Sequence, residues 1–255
     1  MSNNNLKIVT WLWNGNRGYR AWHADLLAKM FKKYLTIPHE FICVNSMRGQ
    51  KFDERYVTEL VMPDAAKELG RYPSPEGERF PDCYRRLWMF SDEAAEYFGN
   101  SRIMLIDLDA VLVGNIDHLI TDYTAPFVGW RPLGAFERGG IRNRIGGGLY
   151  LMDSGVHREV YHDFTGYGSM VEAREAGYRG SDQAWLSYKL FDKIEIFDDD
   201  VGIYRTNDFR DERHKDFPKD ACLIHFNGGY KPWARENRGH WVDFHLSAIQ
   251  KEFSE

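Results

Sequence analysis

Cysteine is scarce in this chain: Cys43, Cys83 and Cys222 are the three among 255 residues. An odd number so widely spaced, in apolar or aromatic settings, excludes a disulfide framework or a zinc site. It points to reduced core thiols of the kind found in the cytoplasm. Long apolar runs are missing too, and none approaches the roughly 20 residues needed to span a bilayer. The start, MSNNNLKIV, lacks the apolar core of a secretory signal, so a soluble cytoplasmic protein is expected. Neither sign of charge dominates. With 33 Lys and Arg against 38 Asp and Glu, the net charge of −5 excludes a uniformly basic nucleic-acid binder. Internal repeats and low-complexity tracts are absent as well.

What is present is a chain able to fold. Hydrophobic residues make up 43 % and are spread along the whole length, which suits one domain with a sizeable core rather than disorder. The aromatic share of 15 % fits stacking platforms for sugars or bases, and equally an aromatic core. Arg131, Arg138, Arg142 and Arg144 crowd one stretch, interleaved with Gly134, Gly139, Gly140, Gly146, Gly147 and Gly148. Two readings stand for it: a solvated loop, or a permissive cationic segment shaping the acceptor side of a cleft.

Apolar periodicity gives a strand at 6–13, an amphipathic helix at 21–34, and strands at 41–44 and 56–61. A proline-containing loop follows at 69–81, then a long helix at 82–98 and an apolar strand at 103–107. Further strands are predicted at 127–130, 149–152, 193–197 and 222–226, with helices at 156–164, 182–190 and 241–253. Strand, helix, strand in alternation predicts an α/β fold with a mixed, mainly parallel sheet flanked by helices.

Two short patterns carry chemistry. Asp107-Leu108-Asp109 stands where an apolar strand ends. Carboxylates two apart on a strand share a face, and at the carboxyl edge of an α/β sheet such a pair can bind a divalent cation through oxygen. Turn residues or helix caps are the other reading. The second pattern, HFNGGYKPW at 225–233, sets an imidazole, two glycines and a lysine close together after another apolar stretch. Gly228 and Gly229 let backbone amides approach an anion, and Lys231 adds positive charge. His225 reads either as a satisfied core histidine or, with the upstream acids, as a third metal ligand. Trp11 and Trp13 share a strand face. Asp182 reads as a helix N-cap or as a sugar contact, and the acidic run Asp198-Asp199-Asp200 as a solvated turn or a metal-like cluster.

The stretch 86–119, RLWMFSDEAAEYFGNSRIMLIDLDAVLVGNIDHL, resembles glycosyltransferase family 8, in which a basic residue plus leucine opens a helix before the D-x-D strand and an N-I-D-x-L turn. Val9-Thr10, Asn14 and Tyr19 look like that family's first strand and nucleotide-binding loop, here two residues longer. Gly146-Gly147-Gly148-Leu149 stands where the family has asparagine, a small residue and glycine. Gly180-Ser181-Asp182-Gln183 resembles its G-D-Q with a serine inserted, and 225–233 fits its H-F-x-G-x-x-K-P-W closing motif, clearest in glycogenin-like members.

The resemblance implies a single GT-A (Rossmann-like) domain over 1–255, with a nucleotide-binding part at about 1–115 and acceptor-side and closing elements at about 116–255. It also implies a retaining sugar transfer from a nucleotide-diphosphate donor, usually UDP-linked, with Mn2+ or Mg2+ as cofactor. Asp107, Asp109 and His225 would hold the metal. Gly228 and Lys231 would hold the diphosphate, while Thr10, Trp11, Trp13, Tyr19 and Leu108 would line the nucleoside side. Arg86 would reach donor phosphate or sugar, and Asp182 and Gln183 would lie against the sugar ring as the catalytic pair. Retention would proceed by front-face attack or by a double displacement, with Asp182 the better nucleophile of the two. The acceptor, whether glycan, protein or nucleobase, is not legible.

Two other functions stand beside this one. Asp107-Leu108-Asp109 followed by Val111-Leu112-Val113 also resembles the nucleophile motif of haloacid dehalogenase-type phosphatases, although that motif normally comes first in the chain. A non-catalytic nucleotide-sugar-binding protein is the third.

Overall fold

The computed structural model describes residues 5–15, 18–72, 82–131, 140–206, 216–226, 231–235 and 240–254. The elements run β1 (Asn5–Leu12), α1 (Ala21–Tyr34), β2 (His39–Asn45), β3 (Thr58–Val61), α2 (Asp64–Leu69), a 3-10 helix (Asp82–Phe90) and α3 (Asp92–Phe98). Then come β4 (Ser101–Ile106), β5 (Ala110–Leu112), α4 (His118–Thr121), β6 (Phe127–Gly129), β7 (Leu149–Asp153), α5 (Glu159–His162) and α6 (Tyr167–Glu175). The chain closes with α7 (Asp182–Leu190), β8 (Glu195–Ile196), β9 (Ile203–Arg205), β10 (Leu223–His225) and α8 (Trp241–Glu252).

The fold is α/β, as expected. A seven-stranded, mainly parallel sheet has the order β3-β2-β1-β4-β7-β6-β8, and a three-stranded sheet the order β5-β10-β9. The chain divides into two compact units. The first comprises Met1–Lys7, Val61–Leu105 and Ala125–Phe197; the second comprises Ile8–Leu60, Ile106–Thr124 and Asp198–Glu255.

In the first unit the 3-10 helix is the hub, with α2, α3, α5 and α7 packed around it. Leu87, Trp88, Met89 and Phe90 are all buried there. Large side chains of this kind each contribute about 1.5–3 kcal/mol when fully buried. The long helix predicted at 82–98 is interrupted at Ser91. Its backbone is extended (φ −79°, ψ 163°), and its hydroxyl accepts the Ala94 N–H at 3.0 Å, so Ser91 caps a new helix. The apolar stripe Leu87, Phe90, Ala94, Phe98 is real but spans two elements. In β6, Gly129 admits the close approach of Ile145, whose methyl occupies the space a side chain would need.

In the second unit β1 buries Ile8, Val9 and Leu12, and α1 covers β5 and packs on α8. β10 pairs antiparallel with β5, His225 opposite Ala110, and parallel with β9, His225 beside Arg205. β5 and β9 are too short to announce themselves by periodicity. Cys43 and Cys222 are buried, Cys83 is partly exposed, and no disulfide joins them.

Candidate active site

The second unit brings the two sequence patterns together. After Asp107 the chain turns tightly, with the Ala110 N–H bonded to the Asp107 carbonyl at 3.2 Å. The Phe226 N–H then bonds to the Asp109 carbonyl at 3.2 Å, tying the closing motif to the acidic one through backbone. Side chains complete the join. The Lys231 ammonium forms an ion pair with the Asp109 carboxylate, and the Tyr19 hydroxyl donates to Asp109 Oδ2 at 3.0 Å. Lys231 Nζ also lies 5.5 Å from the centre of the Tyr19 ring.

The charges here are crowded. Burial pushes the Asp109 carboxyl above its ordinary range, and the charge of Asp107 adds to that, against the pull of Lys231 and Tyr19. Burial likewise lowers His225 to about 4, with Asp107 raising it and Arg205 lowering it. At neutral pH its imidazole is therefore uncharged, the form that binds metals. Among the described residues no three His, Cys, Asp or Glu side chains are gathered into a ready-made metal cage. The charge of Asp107 acts on both Asp109 and His225, and Asp109 is held by Lys231.

An aromatic wall stands behind this cluster. The Trp233 ring lies 3.8 Å from the His23 ring and 5.6 Å from that of Tyr19, and Trp22 stacks on His23 at 3.6 Å. His23 Nδ1 accepts the Arg20 N–H at 2.8 Å, fixing the start of α1 and the loop that carries Tyr19. Trp11 is buried and Trp13 partly exposed, their rings edge to face at 6.5 Å. Thr10 and Leu108 are buried, and the Thr10 hydroxyl has no partner among the described residues. Gly228 lies outside the described residues.

The first unit holds Arg86, Asp182 and Gln183. Arg86 Nε meets Asp182 Oδ2 at 2.8 Å and Nη2 meets Oδ1 at 3.3 Å. Both residues are buried, Asp182 completely at 0 % exposure. Ser181 Oγ donates to Asp182 Oδ1 at 2.9 Å, and Gln183 Oε1 accepts the Gly147 N–H at 2.9 Å. The described part of the Gly- and Arg-rich segment, 140–148, is tied down. Asn143 exchanges two hydrogen bonds with the Arg179 backbone, at 2.8 and 2.9 Å, and the Arg144 N–H donates to Ser187 Oγ at 3.0 Å. The Arg142 and Arg144 guanidinium groups lie over the Phe191 ring at 5.6 and 5.3 Å.

With this geometry, two solved structures superimpose over nearly the whole chain. The fold is that of the galactosyltransferase LgtC. A crystal structure of LgtC in complex with donor and acceptor sugar analogues matches with a TM-score of 0.66 and 14 % identity, covering 98 % of this chain and 96 % of that one. An active-site glutamine-to-glutamate mutant of LgtC matches with a TM-score of 0.64 and 11 % identity, covering 96 % and 95 %. No family model and no curated protein matches the sequence. The GT-A fold expected from the motifs is therefore observed.

Within this GT-A fold, sequence reading missed two residues. Arg205 and Thr206 are buried at the end of β9, with Arg205 the register neighbour of His225. A strand of three residues gives too little alternation to be read, and no motif fixed its register. The serine at 181 was noticed as an insertion, but its bond to Asp182 could not be read from spacing.

Proposed function

We propose that this chain is a glycosyltransferase that moves a sugar from a nucleotide-diphosphate donor, UDP-linked on its motifs, to an acceptor with retention of configuration. The observation that carries this reading is the Lys231–Asp109 ion pair, which joins two motifs 122 positions apart inside a GT-A fold. A lysine set on an acid at the end of a GT-A strand is the arrangement that a metal-bound diphosphate would use.

The residues present fit a divalent cation. Asp109 and Asp107 are like charges of which one is buried, and His225 offers a neutral nitrogen. Oxygen and imidazole donors suit manganese or magnesium. Asp107, Asp109 and His225 would hold the ion, which when bound offsets charge on the departing diphosphate. Lys231 turns from Asp109 toward phosphate oxygens and, with Gly228, supports the leaving group. Tyr19 keeps Asp109 oriented. Thr10, Trp11, Trp13 and Leu108 line the nucleoside side, a role supported by the unsatisfied Thr10 hydroxyl. Arg86 and Gln183 serve the sugar. That LgtC has been studied as an active-site glutamine mutant supports the part given to Gln183.

The GT-A fold favours transfer over the phosphatase alternative, which would use the same acids. Among the described residues no helix is long and apolar enough to cross a membrane. The three thiols support a place in the cytoplasm.

The test is incubation with a panel of sugar nucleotides, with and without Mn2+, read by chromatography. At least one donor should release its nucleoside diphosphate only with metal. Release of inorganic phosphate from phosphomonoesters would favour the phosphatase, and metal-dependent binding with no turnover the non-catalytic protein.

A further inference from the structure

We infer that Arg205 is a positioning residue of the proposed metal–diphosphate site. Its buried charge, set beside His225, opposes a divalent cation that arrives alone and favours one that arrives with a diphosphate. The inference rests on the glycosyltransferase reading above and deepens it, because it gives a residue outside both sequence motifs control over the coupling between the site's two ligands.

The placement comes from register. His225 ends β10, and across the ladder it stands between Ala110 of β5 and Arg205 of β9. Residues paired in register point to the same face of a sheet. Two positions earlier that face carries Leu112, Leu223 and Ile203 in one row, all apolar and buried. The next row on it is Ala110, His225 and Arg205. In one step the face changes from core to chemistry, and the change brings a cation with it. His225 and Arg205 are each only 4 % exposed, so water does little to weaken the interaction between them. The imidazole feels it: Arg205 lowers the His225 pKa, while Asp107 raises it. Charges of opposite sign therefore act on the same nitrogen ligand.

These charges sort what can bind. Asp107 and Asp109 attract a divalent ion, but Lys231 already holds Asp109 and Arg205 stands on the imidazole side. A bare cation meets the attraction of the acids less the repulsion of Lys231 and Arg205. A diphosphate brings negative charge of its own, and Arg205 then attracts the incoming pair. Burying a guanidinium is costly, and an apolar residue like Ile203 would serve the strand end better if packing were its whole purpose. With Arg205 in place, metal is taken up together with the donor and leaves with the spent nucleoside diphosphate.

The experiment reads binding and needs no turnover. Mn2+ is titrated into the parent, Arg205→Met and Arg205→Lys with and without UDP, and free ion is followed by electron paramagnetic resonance. Without nucleotide, Arg205→Met should bind Mn2+ at least about tenfold more tightly than the parent. With Mn2+ present, it should bind UDP at least about tenfold more weakly. Arg205→Lys keeps the charge and should behave as the parent does in both titrations. Arg205→Gln, with the same expectation as Arg205→Met, covers a failure of the methionine variant to fold. A damaged site loses metal affinity, so a gain separates removal of charge from loss of packing. Unchanged or weaker Mn2+ binding in the neutral variants, beside a parent that still binds UDP in a metal-dependent way, would overturn the inference and leave the glycosyltransferase reading intact. A lysine variant that behaves like the neutral ones would overturn it too. A parent that binds UDP equally with and without Mn2+ would instead defeat the metal–diphosphate reading, and the inference with it.

Discussion

The polar cluster of the first unit and that of the second handle buried charge in opposite ways. Asp182 is matched: a guanidinium and a hydroxyl meet its oxygens. Asp109 is overloaded, pushed up by burial and by Asp107 although Lys231 and Tyr19 both hold it. A matched pair is a structural lock. An acid pair short of positive charge is poised to take a cation together with the anion that cation brings. Under the proposed function, binding falls to the second cluster and placement to the first.

The largest expected effect is on the lock. Arg86→Met should destabilise the protein by about 3–5 kcal/mol, because it leaves a fully buried carboxylate unpaired. The double variant Arg86→Met, Asp182→Asn should recover part of that loss. Denaturant unfolding reads both, and a single variant as stable as the parent would erase the contrast between the clusters.

Lys231→Ala should weaken ligand beyond its cost to the fold, which comes from leaving Asp109 buried beside Asp107. It should weaken UDP by roughly 10- to 100-fold, as expected for bonds to a charged group, and leave uridine nearly unchanged. Equal losses for the two ligands in a binding titration would mean a disturbed loop instead of a lost phosphate contact.

Acid should next reveal the two buried histidines of the second unit. His23 and His225 are each lowered from 6.5 to about 4, chiefly by burial. The folded protein therefore binds fewer protons than the unfolded chain between those values. Their stabilising contribution is complete above about pH 6.5 and is lost as pH falls through about 4. Asp109 runs the other way, since a raised carboxyl favours the folded state as pH falls. Thermal unfolding of His23→Gln across pH 7 to 4 should show a shallower slope than the parent; an identical slope would remove His23 from the explanation.

The smallest effect concerns the cationic segment. Arg142→Ser and Arg144→Ser should each cost about 0.5–1 kcal/mol, the worth of an exposed cation–π contact. Donor release should persist while transfer to an anionic acceptor falls. A parallel fall in both would move these arginines to the donor side.

Much of this was legible in the sequence where the signal was periodic or chemical. α1 and α7 were read at their observed limits from apolar spacing. The acidic and closing motifs stood out by residue type, and the structure joins them through Asp109, Phe226 and Lys231. Short elements were not legible: β5 and β9 have three residues each, and α2 falls between the predicted strand at 56–61 and the loop at 69–81. The break at Ser91 was hidden because the stripe continues in phase across it. Partnerships were the least legible layer. Arg86 and Asp182 are 96 positions apart, and only the fold reveals that each consumes the other.

Calorimetric titration of UDP, with and without Mn2+, into the parent and into Asp107→Asn tests the central claim most directly. The parent should bind UDP with Mn2+ at least about tenfold more tightly than without it, a coupling of about 1.4 kcal/mol. Asp107→Asn, which lacks one of the crowded charges, should lose that dependence while remaining folded. Metal-independent UDP binding in the parent, or unchanged metal dependence in Asp107→Asn, would contradict the assignment of the second cluster as a metal–diphosphate site.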